Sequence, residues 1–183
     1  MNKTSHLLFF VLNMALCGAA VAEKADTGKP VNFEAEQMAV DDVKQVRTLT
    51  GKVIVTRGSM ILRADKMILT VTPEGYQSAV LFADAGKLAT FRQKRDGGAD
   101  LWMDGHAERI EYDEKSELVK LISKAQMRRL DGNKPTDNVE AEFISYDSRA
   151  EYLSVNNTAK GESKPGAGRI KGSFQTTPDI KAP

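Results

Sequence analysis

His106 is the residue around which acid–base or nucleophilic chemistry in this chain would have to be built. The chain has two histidines and one cysteine, and His6 and Cys17 both fall in an N-terminal segment that reads as a removable leader. Their loss would exclude Cys-His catalysis and a multi-histidine metal site, and a Ser-His-Asp triad would have to use His106. That histidine, however, occupies a place taken by Glu34, Arg63 and Glu140 in three other copies of one short phrase. It is therefore expected to be a solvent-facing strand residue. Asp65, Glu108 and Glu142 also recur at matching places. Carboxylate pairs of that kind could hydrolyse glycosides, but one active site does not need its acid copied in every repeat, so they read as corner residues.

Other constellations are weaker. Asp131-Gly132-Asn133 and Asp96-Gly97-Gly98 lack the alternating carboxylates and closing Glu of a calcium loop and read as turns. No Gly-x4-Gly-Lys-Ser/Thr loop occurs, so the chain does not itself spend ATP. The glycosylation acceptor at Asn156-Asn157-Thr158 reads as chance, and Trp102, the one tryptophan, offers little for a sugar platform. Arg57, Arg92, Arg95, Arg128 and Arg129 are read as a solvated face, with phosphates at a groove rim as their functional alternative. No catalytic residue, metal or cofactor is assigned.

The elements around these residues repeat. Phe33-Glu34-Ala35-Glu36, Leu62-Arg63-Ala64-Asp65, Gly105-His106-Ala107-Glu108 and Val139-Glu140-Ala141-Glu142 are each followed by apolar residues three and five places after the alanine. An unbroken strand keeps its buried residues at even spacing, so the inward face slips by one residue after each alanine. A bulge or corner there lets one strand pass from one sheet to another. A second phrase alternates with the first: Leu49-Thr50-Gly51-Lys52-Val53 is echoed by Asp84-Ala85-Gly86-Lys87-Leu88 and by Leu121-Ile122-Ser123-Lys124-Ala125. The alanines lie 29, 43 and 34 residues apart, which suits stacked hairpins of unequal loop length rather than a strict solenoid. The longest insertion falls at residues 72–100. A first strand is expected over residues 31–40 and a last over residues 169–174. Turn signals include Arg57-Gly58-Ser59, Pro73-Glu74-Gly75 and Asp104-Gly105, and no stretch of helical period separates them.

The N-terminus, with Lys3, the apolar run over residues 7–16 and Ala20-Val21-Ala22, has the form of a secretory leader cut after Ala22. Residues 1–22 are thus expected to be a cleaved signal peptide, residues 23–174 a single domain, and residues 175–183 a flexible tail. Removal of the leader leaves 161 of the 183 residues, with 25 basic and 25 acidic side chains. That balance argues against a general binder of nucleic acid. With no cysteine left, core and ladder alone must hold the domain in an oxidising compartment.

The leader, the segment Asp26-Thr27-Gly28-Lys29-Pro30-Val31-Asn32-Phe33-Glu34, the phrases Leu49-Thr50-Gly51-Lys52-Val53-Ile54-Val55-Thr56-Arg57-Gly58 and Ala64-Asp65-Lys66, and then Gly86-Lys87-Leu88-Ala89-Thr90-Phe91 and Gly105-His106-Ala107, together resemble the OstA-like family of lipopolysaccharide-transport proteins. The likeness runs in order from about Asp26 to Phe174. It implies an all-β fold: a twisted, slightly open β-jellyroll of many short antiparallel strands, with an apolar interior that holds acyl chains of lipopolysaccharide (lipid A). The soluble length points to the periplasmic bridge of that family rather than to LptC or LptD. Matching positions imply lipid contact at Thr27, Val31, Phe33, Phe91 and Tyr112. Where the family can carry an apolar residue shortly after that tyrosine, this chain has Asp113 and Glu114.

The same resemblance implies head-to-tail self-association by strand addition through Val31, Phe33, Ile170 and Phe174. It implies as partners LptC with the inner-membrane ABC transporter complex, and the LptD periplasmic domain at the outer membrane. Glu34 and Glu36 on the first strand, against Arg169 and Lys171 on the last, fit such pairing. Two alternatives stand beside the conduit: a structural periplasmic adaptor that takes no lipid, and a polysaccharide-processing enzyme on a β scaffold that would depend on a carboxylate such as Asp104.

Overall fold

A computed structural model describes Asp26, residues 28–98 and residues 100–175, and within them lie twelve strands and no helix. The leader, Thr27 and residues 176–183 of the expected tail lie outside the described residues. The strands are β1 (Val31–Glu34), β2 (Gln37–Asp41), β3 (Val46–Arg57), β4 (Met60–Val71), β5 (Gln77–Phe82), β6 (Ala89–Lys94), β7 (Leu101–Ala107), β8 (Arg109–Asp113), β9 (Leu118–Asp131), β10 (Lys134–Asp147), β11 (Tyr152–Asn156) and β12 (Lys171–Phe174). Every ladder is antiparallel, as short hairpin connections require.

Four long strands each change neighbours part-way. β3 meets β1 through residues 54–57 and β2 through residues 46–50, and β4 meets β6 through residues 61–63 and β5 through residues 66–71. β9 meets β7 through residues 126–131 and β8 through residues 118–122. β10 meets β12 through residues 137–140 and β11 through residues 143–147. The outcome is two sheets folded on one another and joined by strands that run through the fold line, which is the expected all-β jellyroll.

The fold line is where the repeated phrases lie. Gly51 and Lys52 of β3 sit opposite the single residue Asp65, and Ser123 and Lys124 of β9 sit opposite the single Glu142, so both are bulges of two residues against one. All four bulge residues have positive φ, at 83°, 45°, 63° and 52°. On the acid-bearing strands the inward parity slips as the sequence predicts: Leu62 is followed by Met67, Ala107 by Ile110, and Val139 by Ile144, all buried.

Three local expectations are corrected. Residues 31–40 form two strands, because the chain turns its corner at Ala35-Glu36 while both halves follow β3, and the Glu36 N–H donates to Gly51 O at 3.0 Å. Asp104-Gly105 is not a turn but lies inside β7. A Cβ at Gly105 would meet Leu121 Cδ2 at 2.7 Å and Gln126 O at 2.9 Å, so this glycine serves close approach rather than chain reversal. The last strand begins at Lys171 rather than residue 169. The long insertion over residues 72–100 contains β5 and β6.

Candidate functional site

The space between the sheets is filled by side chains from both. Phe91, Leu62, Leu81, Ile110, Ile144 and Tyr146 are each at most 1 % exposed, and burial of such a side chain contributes about 1.5–3 kcal/mol. Four methionines, Met60, Met67, Met103 and Met127, line the same interior. An unbranched thioether adapts to irregular neighbours, so a lining rich in methionine can repack around a guest. Near β1 the interior holds an apolar cavity of about 20 Å³ between Val31, Val55, Leu62, Met67, Leu69 and Tyr112. Towards β11 and β12 it opens into a mostly apolar cleft of about 330 Å³ reached by Met103, Met127, Val139, Leu153, Val155 and Phe174.

The two ends of the roll are unlike its middle. At the β1–β2 end the repeated apolar positions are uncovered, with Phe33, Met38 and Val40 exposed by 48 %, 42 % and 49 %. At the other end Tyr152, Ile170 and Phe174 are exposed. Each of β1, β2, β11 and β12 pairs with one neighbour only, so both ends present unpaired backbone beside apolar side chains. In the later copies of the phrase the matching positions are covered, with Met67, Ile110, Ile144 and Tyr146 buried, and only in the first copy are they not.

Of the residues expected to meet lipid, Phe91 lies deep in the core, and Val31 and Tyr112 come together at the small cavity. Phe33 stands on β1 opposite Val55 with half its surface in solvent, and Thr27 is outside the described residues. Ile170 and Phe174 flank and close β12. Val31 and Phe33 therefore belong to one end of the roll and Ile170 and Phe174 to the other.

Opposite the fold line the tips of turns from the two sheets meet along a seam. Arg57, at the end of β3, is not on the solvated face. It is 7 % exposed and its Nη2 donates to Glu114 Oε1 at 2.6 Å, joining the β3–β4 tip to the β8–β9 tip. Arg95 Nη2 lies 2.8 Å from Glu151 Oε2 and joins the β6–β7 tip to the β10–β11 tip. The Nε–H of each arginine is buried without a hydrogen-bond partner among the protein atoms. Nearby, Asp26 accepts hydrogen bonds from Ser59 and, at 3.4 Å, from Gln93 Nε2. Burial raises the Tyr112 hydroxyl above its ordinary range, against the pull of the adjacent Arg57. Residue type obscured Arg57, but parity did not: Val53, Val55 and Arg57 follow one another on the inward face.

The fold-line side is held differently. Lys52 pairs with Glu36 at 2.6 Å, Lys87 with Asp65 at 2.8 Å and Lys124 with Glu108 at 2.7 Å; the three lysines are well exposed and Asp65 is partly covered. Glu36, Asp65 and Glu108 therefore sit at corners, each meeting a recurring lysine of the second phrase, and Glu142 sits at the matching corner opposite Ser123 and Lys124. His106 is half-buried on the outer face of β7, and burial, then Arg128, lowers its pKa below the usual 6.5. Asp104, two residues away, is held by Arg128 through bonds of 3.0 and 3.1 Å. Among the described residues no cluster of His, Cys, Asp or Glu could hold a metal.

A folded-over all-β roll with an adaptable apolar interior, apolar ends and single-partner edge strands defines a binding and assembly scaffold. The chain belongs to the family described as LptA/(LptD N-terminal domain) LPS transport protein, which it matches over residues 32–152. It is 29 % identical over 161 residues to the lipopolysaccharide export system protein LptA of Haemophilus influenzae, covering 87 % of this chain and 90 % of that protein. It is 35 % identical over 141 residues to LptA of Escherichia coli K12, covering 75 % and 74 % respectively. The crystal structure of LptH from Pseudomonas aeruginosa, titled the LptA homologous periplasmic component of the lipopolysaccharide transport device, superposes with a TM-score of 0.71 at 22 % identity. That match covers 82 % of this chain and 99 % of the other, and it corroborates the fold.

Proposed function

We propose that the chain is a periplasmic, non-catalytic component of lipopolysaccharide transport that shields acyl chains in its interior while sugars and phosphates stay in water. The reading rests on family membership together with the continuity of an apolar, methionine-rich interior with two apolar ends. Each buried methylene contributes about 0.8 kcal/mol, so a chain of about a dozen carbons needs on the order of 10 kcal/mol of apolar contact. A continuous interior can supply that, whereas separate surface pockets cannot. Because lipid is held about equally well by membrane and interior, net movement must be driven by another component.

Further parts of this reading concern residues and partners. The leader is removed after Ala22. Val31, Phe33, Phe91 and Tyr112, with Thr27, contact lipid. Copies stack head to tail, β12 of one beside β1 of the next, and the stack ends on LptC with its ABC transporter at one membrane and on the LptD periplasmic domain at the other. Opposite charge on the edges, Glu34 and Glu36 against Arg169 and Lys171, supports that pairing.

Photocrosslinkers placed at Phe33, Phe91 and Tyr112 are expected to capture lipopolysaccharide, while one at exposed Glu108 captures none. Adducts absent at all three sites, with self-association intact, would leave the structural adaptor as the better account. Deletion of the residues after Ala167 is expected to abolish self-association and spare the fold.

A further inference from the structure

We propose that the seam opposite the fold line is where acyl chains pass into the interior, and that Arg57–Glu114 and Arg95–Glu151 form a two-point clasp that holds it shut when no lipid is inside. The proposal rests on the transport reading above and adds the route and the residues that control it.

The argument begins with which parts of the roll can move apart. Along the fold line β3, β4, β9 and β10 run unbroken from one sheet into the other, so the backbone itself prevents separation there. At the β1–β2 end, behind Arg57, the interior narrows to the cavity of about 20 Å³, too small for a chain as it stands, and towards β11 and β12 it widens into the cleft of about 330 Å³ that Glu151 of the seam also lines. On the seam side the sheets end in turns, and contact between them is made by side chains. Arg57 and Glu114 tie one pair of tips, and Arg95 and Glu151, 56 positions apart in sequence, tie another. Contacts of this kind can break without any backbone rearrangement.

The chemistry of the clasp favours a reversible role. Each arginine meets its carboxylate through Nη2 and leaves Nε–H buried and unpartnered. The closed seam is thus incompletely satisfied, and parting it lets water or an oxygen of the lipid headgroup reach both donors. The geometry also suits an amphiphile. A headgroup of sugars and phosphates cannot thread an apolar interior without losing its hydration, whereas chains that slip in sideways leave it outside. Glu114 further explains a departure from the family pattern. A charge shortly after Tyr112, where an apolar lining residue is expected, is neutralised by Arg57 rather than presented to the lipid.

The test uses a chain with Cys17→Ser, in which Arg95→Cys and Glu151→Cys are joined across the seam by a short bismaleimide, with circular dichroism to verify the fold. Uptake of fluorescent lipopolysaccharide is followed for bridged, unbridged and wild-type protein, and for Glu114→Gln/Glu151→Gln. The bridged protein is expected to load at least about tenfold more slowly than its unbridged form. The double glutamine variant is expected to load about tenfold faster than wild type, with faster amide exchange at residues 57–60 and 113–118. If bridging leaves the rate unchanged while wild type loads, the lipid takes another route and this proposal alone is overturned. If wild type takes up no lipopolysaccharide, the transport reading fails and the proposal falls with it.

Discussion

The fold-line side and the seam side of this roll carry similar numbers of ion pairs and use them in opposite ways. At the fold line continuous strands make the join, and Lys52–Glu36, Lys87–Asp65 and Lys124–Glu108 decorate it in solvent. At the seam no strand crosses, and Arg57, Glu114 and Arg95 are largely withdrawn from water, while Glu151 keeps about a third of its side chain in it. Exposed pairs are screened and add little. Withdrawn pairs are costly to break from one side only. One edge of the molecule is therefore a permanent hinge and the other a clasp.

The sharpest way to break this comparison is at Arg57. Arg57→Met leaves the Glu114 carboxylate at the seam without its cation and is expected to lower stability by about 3 kcal/mol in urea titration. Arg57→Met combined with Glu114→Leu should recover most of the loss, since an apolar pair of similar volume often replaces a buried ion pair without penalty. If the single variant is as stable as wild type, the seam is not a clasp.

Next in size is the backbone fit beside the fold line. Gly105→Val puts side-chain atoms where Leu121 and the Gln126 carbonyl already sit, and an expected loss of about 2 kcal/mol should appear as a lower urea midpoint with an unchanged slope.

Acid titration compares the two sides directly. Backbone N–H donation from Asp84, then Lys87, holds the fold-line Asp65 below the usual 3.8, and Ser116 does the same for Asp113 at a seam tip. Their contribution is complete above 3.8, where both folded and unfolded forms are ionised. It is lost as pH falls below 3.8 through the lower folded values. Asp113→Asn, which cannot titrate, should shrink that acid-side loss in pH-dependent unfolding. His106 gives a smaller slope at higher pH. Its folded pKa lies below 6.5, so stability declines as pH falls from 6.5 through the folded value. His106→Gln should remove that slope, and NMR titration of the ring reads the pKa itself. The smallest effect belongs to the exposed lysines: Lys52→Met, Lys87→Met and Lys124→Met together should leave the urea midpoint unresolved from wild type in 1 M salt.

Much of the fold was legible because its signals are local. The one-residue slip after Ala64, Ala107 and Ala141 is a parity change readable within a few residues, and it locates corners that the ladders bear out. Asp104-Gly105 misled because glycine serves turns and close approach alike, and only the neighbouring Leu121 distinguishes them. Arg57 misled because a charged residue type outweighed an inward parity that Val53 and Val55 had already established. Phe33, Met38 and Val40 read as buried like their counterparts. They are exposed because β1 and β2 are edge strands whose one neighbour is β3, whereas the last copy lies on β10, which has neighbours on both sides.

The sequence by itself determined the all-β class, the corner positions, the recurrence of acid and lysine that pairs there, and the likeness to the OstA-like family. These follow from spacing within segments, which the two-residue period of a strand converts directly into faces. Only the tertiary structure decided which turns meet across the seam, that Arg57 is buried and matched to Glu114, and how tightly the interior is filled. Those facts depend on how far two sheets roll towards one another. That angle is the sum of many small twists and bulges, and it brings together residues that no local pattern connects.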